Sequence, residues 1–301
     1  MKKYSIIFLF TLLIFPLHAK IFETPFIEHL NGRNKYVDVT VDGIPATFTF
    51  DTGCSGFYIN KTLFNKLLAQ GKVRRSDLKD VGEVIIANGK VTRSNKRFLI
   101  REVQLAGYTF RNVVAEVGLE DTPDAPLLLG QSILERLRWY KISNNSLSFE
   151  PCEESLQEAM SYSLYHQNDS THYKDIAKRL LPYERNGQLP CFFRESLYFA
   201  LYYTHEYATA HSLAEKLRES SCIQENDLTE YELGLYYHEA VQLYDATKYE
   251  ESLHVALTAW PLATLYKNKG VDYQKHLGHL CWCAYKQLGN EKQAAAFEKY
   301  R

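Results

Sequence analysis

The sequence predicts an α+β protein of two domains, an all-β domain followed by an all-α domain. From Tyr36 to Phe149, short runs of β-branched and aromatic residues are separated by turn residues, which is typical of strands. From Glu153 onward, apolar residues recur at intervals of three and four, which is the period of an amphipathic helix. Because the pattern changes near Pro151, we predict domains at residues 20–150 and 151–301.

The β domain opens with a predicted hairpin. Tyr36–Val41 alternates apolar and polar side chains, Asp42-Gly43 is a strong hairpin-turn signal, and Ala46–Phe50 forms the returning strand. Further strands are predicted at Val84–Ala87, Lys90–Thr92, Phe98–Leu105, Arg111–Val117, Leu127–Leu129 and Leu147–Phe149, and short helices at Lys61–Gln70 and Ser132–Arg138.

The all-α domain is predicted to be a row of helical hairpins. Its helices are predicted at Leu156–Tyr165, His172–Leu181, Phe192–Tyr203, Tyr207–Glu219, Leu228–Ala246, Tyr249–Leu265, Tyr273–Leu288 and Glu291–Tyr300. The stretches Tyr237–Ala256 and Ala284–Lys299 place small and aromatic residues around a hairpin turn, and they resemble tetratricopeptide (TPR) repeats. This resemblance implies a surface that recruits a protein or peptide. A purely structural appendage remains the alternative.

The first nineteen residues have the pattern of a bacterial signal peptide. Lys2 and Lys3 form a basic start, Ile6–Leu17 is largely apolar, and Ala19 offers a small residue at a cleavage point. The apolar run is shorter than the roughly 20 residues that a membrane span needs. We therefore expect an exported protein, periplasmic or secreted, that is free of the membrane after cleavage. Leu17 fits the cleavage site poorly, which leaves an uncleaved anchor open.

The charge and cysteine content of the sequence argue against a nucleic-acid-binding protein and against a cysteine metal site. With 35 Lys and Arg against 36 Asp and Glu, scattered along the chain, the sequence has no basic patch for nucleic acid. The six cysteines permit disulfides in an oxidising compartment, but their pairing does not follow from the sequence. Cys281 and Cys283 lack metal-site spacing and are interpreted as buried thiols. His276 and His279 are interpreted as ordinary helix residues.

The stretch Ala46–Gly56 carries the chemistry. An apolar strand delivers Asp51 to a turn, where Thr52 and Gly53 follow at once. Two facing carboxylates that share one proton can activate a water while the protonated one donates to a substrate carbonyl. Such a site needs neither a metal nor another cofactor. A lone Asp-Thr-Gly triplet is a weak signal, because it also occurs in ordinary strand-end turns.

The surroundings strengthen this signal, because three ordered elements resemble the retropepsin-like aspartic proteases of the bacterial single-lobe kind. They are the triplet Asp51-Thr52-Gly53, the predicted hairpin tip Ala87-Asn88-Gly89, and the late apolar segment that contains Leu128-Leu129-Gly130. The resemblance implies a single-lobe acid-protease barrel over Tyr36–Phe149.

It also implies a role for each element. Asp51 is the catalytic carboxylate, which Thr52 and Gly53 support. Ala87-Asn88-Gly89 is the flap over the substrate, and Leu128-Leu129-Gly130 packs behind the catalytic loop. Cys54 follows the triplet where the family often has a small residue. We interpret it as a buried thiol, with a redox-sensitive thiol as the alternative.

The sequence contains a single such triplet, since Asp121-Thr122-Pro123 has proline in place of the glycine. A two-lobed enzyme needs a second carboxylate from the same chain, so the sequence predicts a homodimer with Asp51 from each subunit. The expected activity is endoproteolysis of a peptide or protein substrate. The alternative is a non-proteolytic peptide-binding or scaffold protein that retains the protease fold.

Overall fold

A computed structural model describes residues 20–28, 34–81, 84–85, 91–92, 95–119, 123–266 and 270–301. The predicted fold class is confirmed, because a β-barrel is followed by a helical region. The strands are β1 (Phe22–Pro25), β2 (Ile27–Glu28), β3 (Lys35–Val41), β4 (Ile44–Phe50), β5 (Phe57–Tyr58), β6 (Lys79–Asp80), β7 (Val84–Ile85), β8 (Val91–Thr92), β9 (Asn95–Leu105), β10 (Tyr108–Gly118), β11 (Leu128–Leu129), β12 (Leu137–Ile142) and β13 (Ser146–Pro151).

The barrel is an eight-stranded sheet with the order β2-β3-β4-β11-β5-β10-β9-β6. It closes because β3 also pairs antiparallel with β9, where Val39 lies opposite Leu105. Along β3 the apolar side chains are buried, and Asp38 between them is exposed, as period-two alternation requires. The barrel core contains Val37, Val39, Phe48, Phe57, Phe98, Ile100, Phe110 and Leu129, together with further apolar residues.

The predicted turn at Asp42-Gly43 joins β3 and β4. Both residues have positive φ, 45° at Asp42 and 86° at Gly43. A two-residue turn of this kind matches the right-handed twist of the paired strands. The register of the hairpin, with Val41 opposite Ile44, therefore follows directly from this local sequence.

The structure also contains two smaller sheets. The strands β1, β13 and β12 form a three-stranded antiparallel sheet in that order, so β12 is an edge strand. The strands β7 and β8 pair antiparallel, with Val84 opposite Thr92 and Ile85 opposite Val91. Helix α1 (Lys61–Ala69) covers one side of the barrel through Leu63, Phe64 and Leu67.

The helix predicted at Ser132–Arg138 is wrong at its end. Helix α2 spans only Gln131–Leu134, and Arg138 belongs to β12. The Arg136 carbonyl accepts a hydrogen bond from the Cys152 backbone N–H at 2.8 Å, so it does not continue the helix. Pairing with β13 therefore overrides the local helical pattern.

The helical region begins directly after β13. Its helices are α3 (Glu154–Tyr165), α4 (Tyr173–Arg185), α5 (Cys191–Tyr203), α6 (Tyr207–Ser220), α7 (Glu225–Asp245), α8 (Tyr249–Leu265), α9 (Tyr273–Gln287) and α10 (Glu291–Ala294). Each helix packs against the next one along the chain. Among the helices that the structure describes, none has the length and apolar character to span a bilayer. The TPR-like character of this region stays a prediction.

Arg136 joins the barrel to the helical region. Its side chain is fully buried and donates hydrogen bonds to the backbone carbonyls of Ser132, Arg111 and Asn112 and to the Ser161 hydroxyl of α3. Burial lowers the pKa of Arg136 to about 10, so the guanidinium stays charged at neutral pH. Val114 of β10 also packs into the core of α3–α6.

One disulfide lies in the helical region, between Cys191 at the start of α5 and Cys222 after α6. The free cysteines include the predicted thiols Cys281, which is buried, and Cys283, which is half-buried. Burial raises the pKa of Cys281 to about 12, so this thiol stays protonated at neutral pH.

Candidate active site

Asp51 lies at the end of β4, in a turn that several hydrogen bonds fix. Its backbone N–H donates to the Leu129 carbonyl at 3.0 Å, and its own carbonyl accepts from the Cys54 N–H at 3.3 Å. The Gly53 N–H donates to Asp51 Oδ1 at 2.9 Å, which orients the carboxylate. Asp51 is half-buried, whereas Thr52 and Gly53 are exposed. The turn therefore presents the Asp51 carboxylate, in an orientation fixed by the Gly53 N–H, at the surface of one chain.

The segment Leu128-Leu129-Gly130 lies directly behind this turn. Strand β11 inserts between β4 and β5, parallel to the first and antiparallel to the second. A Cβ atom at Gly130 would lie 2.2 Å from the Cys54 carbonyl oxygen and 2.6 Å from that of Gly56. Only glycine permits so close an approach. The structure thus brings together the triplet and the late apolar segment, more than seventy residues apart.

Gln131 also supports the turn, although no role is predicted for it from the sequence. Its backbone N–H donates to the Cys54 carbonyl at 2.8 Å, and its side-chain amide donates to the Thr52 carbonyl at 2.8 Å. These bonds hold both ends of the turn against the start of α2. The only sequence signal was its position next to Gly130, and position alone does not predict a contact with Thr52.

Cys54 sits beneath the turn as a partly buried thiol. Burial raises the pKa of Cys54, and the negative charges of Asp51 and Glu116 raise it further, although a hydrogen bond to Gly56 opposes them. A thiol with a raised pKa reacts slowly with oxidants at neutral pH. This electrostatic environment favours the interpretation as a buried thiol over that as a redox-sensitive one.

The predicted flap residues Ala87, Asn88 and Gly89 lie outside the described residues. The strands on either side of them, β7 and β8, are described, and they pair as the two arms of a hairpin would. Strand β6, just before them, pairs antiparallel with β9, with Lys79 opposite Arg97.

Polar contacts connect this region to the helical part of the chain. Arg97 forms an ion pair with Glu116 at 2.7 Å, and its guanidinium also donates to the Leu164 carbonyl of α3 at 2.7 Å. Tyr165 donates to the Asp77 carbonyl at 3.2 Å. The C-terminal end of α3 therefore contacts the barrel at β9 and at Asp77, which precedes β6.

Part of this chain is similar to known proteins. The model of the family described as "gag-polyprotein putative aspartyl protease" matches residues 37–136. A solved structure of a retropepsin-like aspartic protease from Rickettsia conorii is 25% identical, and the match covers 44% of this chain and 92% of that chain with a TM-score of 0.35. No curated protein matches this chain.

The family match spans the barrel from β3 to the residues after α2, and it includes both the Asp51 turn and Gly130. Within it, Asp51 follows an apolar strand and rests on the late Leu-Leu-Gly segment, which is the arrangement that the sequence predicts. Residues 37–136 are therefore similar to the gag-polyprotein putative aspartyl proteases, and the chain continues beyond them into a helical region.

Proposed function

We propose that this chain is an aspartic endopeptidase that acts as a homodimer, with one Asp51 carboxylate from each subunit at the active site. The observation that carries the proposal is the Asp51 turn. The Gly53 N–H orients the Asp51 carboxylate, and the absence of a side chain at Gly130 lets the loop from Cys54 to Gly56 pack closely against it. Since the sequence holds a single Asp-Thr-Gly triplet, the second carboxylate comes from a second copy.

The chemistry follows from placing two such carboxylates around one water. Two carboxyl groups on either side of one water are so close that they do not both ionise, because their negative charges repel each other. The pair therefore shares one proton near its working pH. The ionised carboxylate takes a proton from the water, whose oxygen attacks the peptide carbonyl, while the protonated carboxylate donates to the carbonyl oxygen. The exposed Thr52 hydroxyl is available to tie the two turns together.

The edge strand β12 supports a dimer. Its side chains Trp139, Tyr140 and Ile142 are 37%, 38% and 42% exposed. The Tyr140 ring lies 6.3 Å from that of Phe50, the residue before Asp51. An edge strand with exposed apolar side chains is a template for pairing with another chain. A second copy paired here would bring its own Asp51 turn close to the first.

We also propose a class of substrate and a cellular location for this protein. The substrate is a peptide or protein, and the helical region recruits it or another protein partner. The protein is exported to the periplasm or secreted. The Cys191–Cys222 disulfide supports an oxidising compartment, because such bonds persist there and are rare in the cytosol.

The first test is cleavage of a peptide library by Asp51→Asn, from acidic to neutral pH. This variant keeps the size of the side chain but removes its charge, so we expect cleavage to vanish while sedimentation still shows a dimer. Retained cleavage would overturn the assignment of Asp51. If the wild-type dimer binds library peptides without cutting them at any pH, the chain is the scaffold protein of the alternative.

A mixing experiment tests the shared site. After subunit exchange with a threefold excess of Asp51→Asn, most wild-type subunits sit in mixed dimers that hold one carboxylate. Cleavage per wild-type subunit should then fall about fourfold, which is the statistical expectation for a two-fold symmetric pair. A site complete within one chain would keep its full activity in the same mixture.

The dimer surface is tested by Tyr140→Lys, which places a charge on β12 next to Phe50. We expect a monomer without cleavage activity and with an unchanged circular dichroism spectrum. Leu265→Lys is the matched control, because Leu265 is 81% exposed on α8, far along the helical region. If both variants dimerise like the wild type, β12 is not the interface.

A further inference from the structure

Three potential metal ligands cluster in the segment between α3 and α4. His166 caps α3, Asp169 precedes a short 3₁₀ turn, and His172 ends that turn. One ligand atom from each lies within 4.8 Å of the other two. The imidazole rings of His166 and His172 are 3.6 Å apart between centroids, and Asp169 Oδ2 lies 3.6 Å from His172 Nε2.

Outer partners orient two of these side chains. The Tyr162 hydroxyl lies 2.8 Å from His172 Nδ1, which leaves Nε2 facing Asp169. The Thr171 hydroxyl donates to Asp169 Oδ1 at 2.6 Å, which leaves Oδ2 facing His172. Metal sites in proteins have this second layer, since a partner on one atom fixes the direction of the other.

A cation already occupies part of this cluster. The Lys79 ammonium of β6 lies 3.2 Å from His166 Nδ1 and 3.9 Å from Asp169 Oδ2. It also sits over the Tyr165 ring, 4.3 Å from the centroid. The ammonium therefore lies against two of the three potential ligands.

We propose that His166, Asp169 and His172 bind a divalent transition-metal ion of the Zn²⁺ class. Two imidazoles and one carboxylate suit such ions, and three protein ligands leave further positions for water or another ligand. The ion takes the place of the Lys79 ammonium, which withdraws toward solvent. Because Lys79 belongs to the barrel, binding exchanges one contact between the barrel and the helical region for a site within the helical region.

The test is isothermal titration of Zn²⁺ into the metal-free full-length protein. We expect one saturable site whose affinity falls more than about 100-fold in His166→Ala and in His172→Ala, while circular dichroism shows an unchanged fold. The double variant His276→Ala with His279→Ala is the control for adventitious binding. It should bind like the wild type, because these residues lie on α9, outside the cluster.

Two further variants probe the neighbours. Tyr162→Phe should weaken binding about tenfold, as loss of an outer partner typically does. Lys79→Met should tighten it by about tenfold, because a competing positive charge is gone, and a misfolded variant would not produce such a gain. The proposal fails if the wild type shows no saturable Zn²⁺ binding, or if His166→Ala and His172→Ala bind like the wild type. Neither readout depends on peptide cleavage.

Discussion

Gly130→Ala tests whether the Asp51 turn rests on Gly130. The added Cβ would meet the Cys54 carbonyl oxygen at 2.2 Å, the Gly56 carbonyl oxygen at 2.6 Å and the Cys54 Cβ at 2.8 Å. Two of these three atoms belong to the backbone, so no side-chain rotation relieves the contact. The loop from Cys54 to Gly56 must move instead.

The displacement sets the expected magnitude. Ordinary contacts of a carbon atom lie at about 3.5 Å, so the loop must shift by roughly 1 Å. Overpacking of this kind costs about 1–3 kcal/mol in the free energy of unfolding. A 1 Å misplacement of a catalytic group lowers the rate by about 100-fold. We therefore expect Gly130→Ala to remain folded but to lose most of its cleavage activity.

Urea denaturation and peptide cleavage measure the two effects, with Gly270→Ala as the matched control. No heavy atom lies within 4 Å of a Cβ at Gly270, and the residue is exposed. This control should differ from the wild type by less than about 0.5 kcal/mol, as surface substitutions usually do. If Gly130→Ala matched the control in both stability and activity, close packing against Gly130 would not be needed to hold the Asp51 turn in place.

Three other perturbations test contacts away from the Asp51 turn. Arg136→Met removes a buried guanidinium and leaves the Arg111 and Asn112 carbonyls without their donor, so urea denaturation should show a loss of about 2–4 kcal/mol; a loss below 1 kcal/mol would contradict this. Because the folded pKa of His166, about 4, lies below its unfolded value, the unfolded chain takes up a proton first as the pH falls. Stability should therefore decline from about pH 6.5 to pH 4, by about 1–2 kcal/mol after solvent screening, and His166→Asn should lack this part of the pH dependence. Replacing Cys191 and Cys222 by serine opens a disulfide with a sequence separation of 31 residues, and the melting temperature should fall with a loss of about 2–4 kcal/mol; an unchanged melting temperature would contradict the bond.

The sequence predicts those parts of the fold that local signals determine. Asp42-Gly43 specifies a two-residue turn because both residues adopt positive φ, and the turn then fixes the register of β3 against β4. The helical period likewise predicts most of α3 to α9, since apolar residues recur in each of them at intervals of three and four. The same local reasoning fails at Arg138, where pairing with β13 decides the structure.

Contacts between residues that are far apart in the chain could not be predicted from the sequence. Nothing local indicates that Cys191 pairs with Cys222, or that Lys79 of the barrel meets His166 of the helical region. For the candidate site, the sequence predicts the residue types but not the contacts between them. The triplet and Leu128-Leu129-Gly130 were recognised by resemblance, whereas their contact depends on β11 entering the sheet between β4 and β5.

This insertion of β11 has a consequence for the order of events as the chain is made. Asp51 emerges early, but the backbone partner of its N–H, Leu129, follows nearly eighty residues later. Closing so long a loop is slow relative to local structure formation. In a growing or unfolded chain, the Asp51 turn therefore lacks the Leu129 backbone that holds it in place. The turn can form an active site only after β11 has joined the sheet and the barrel has closed.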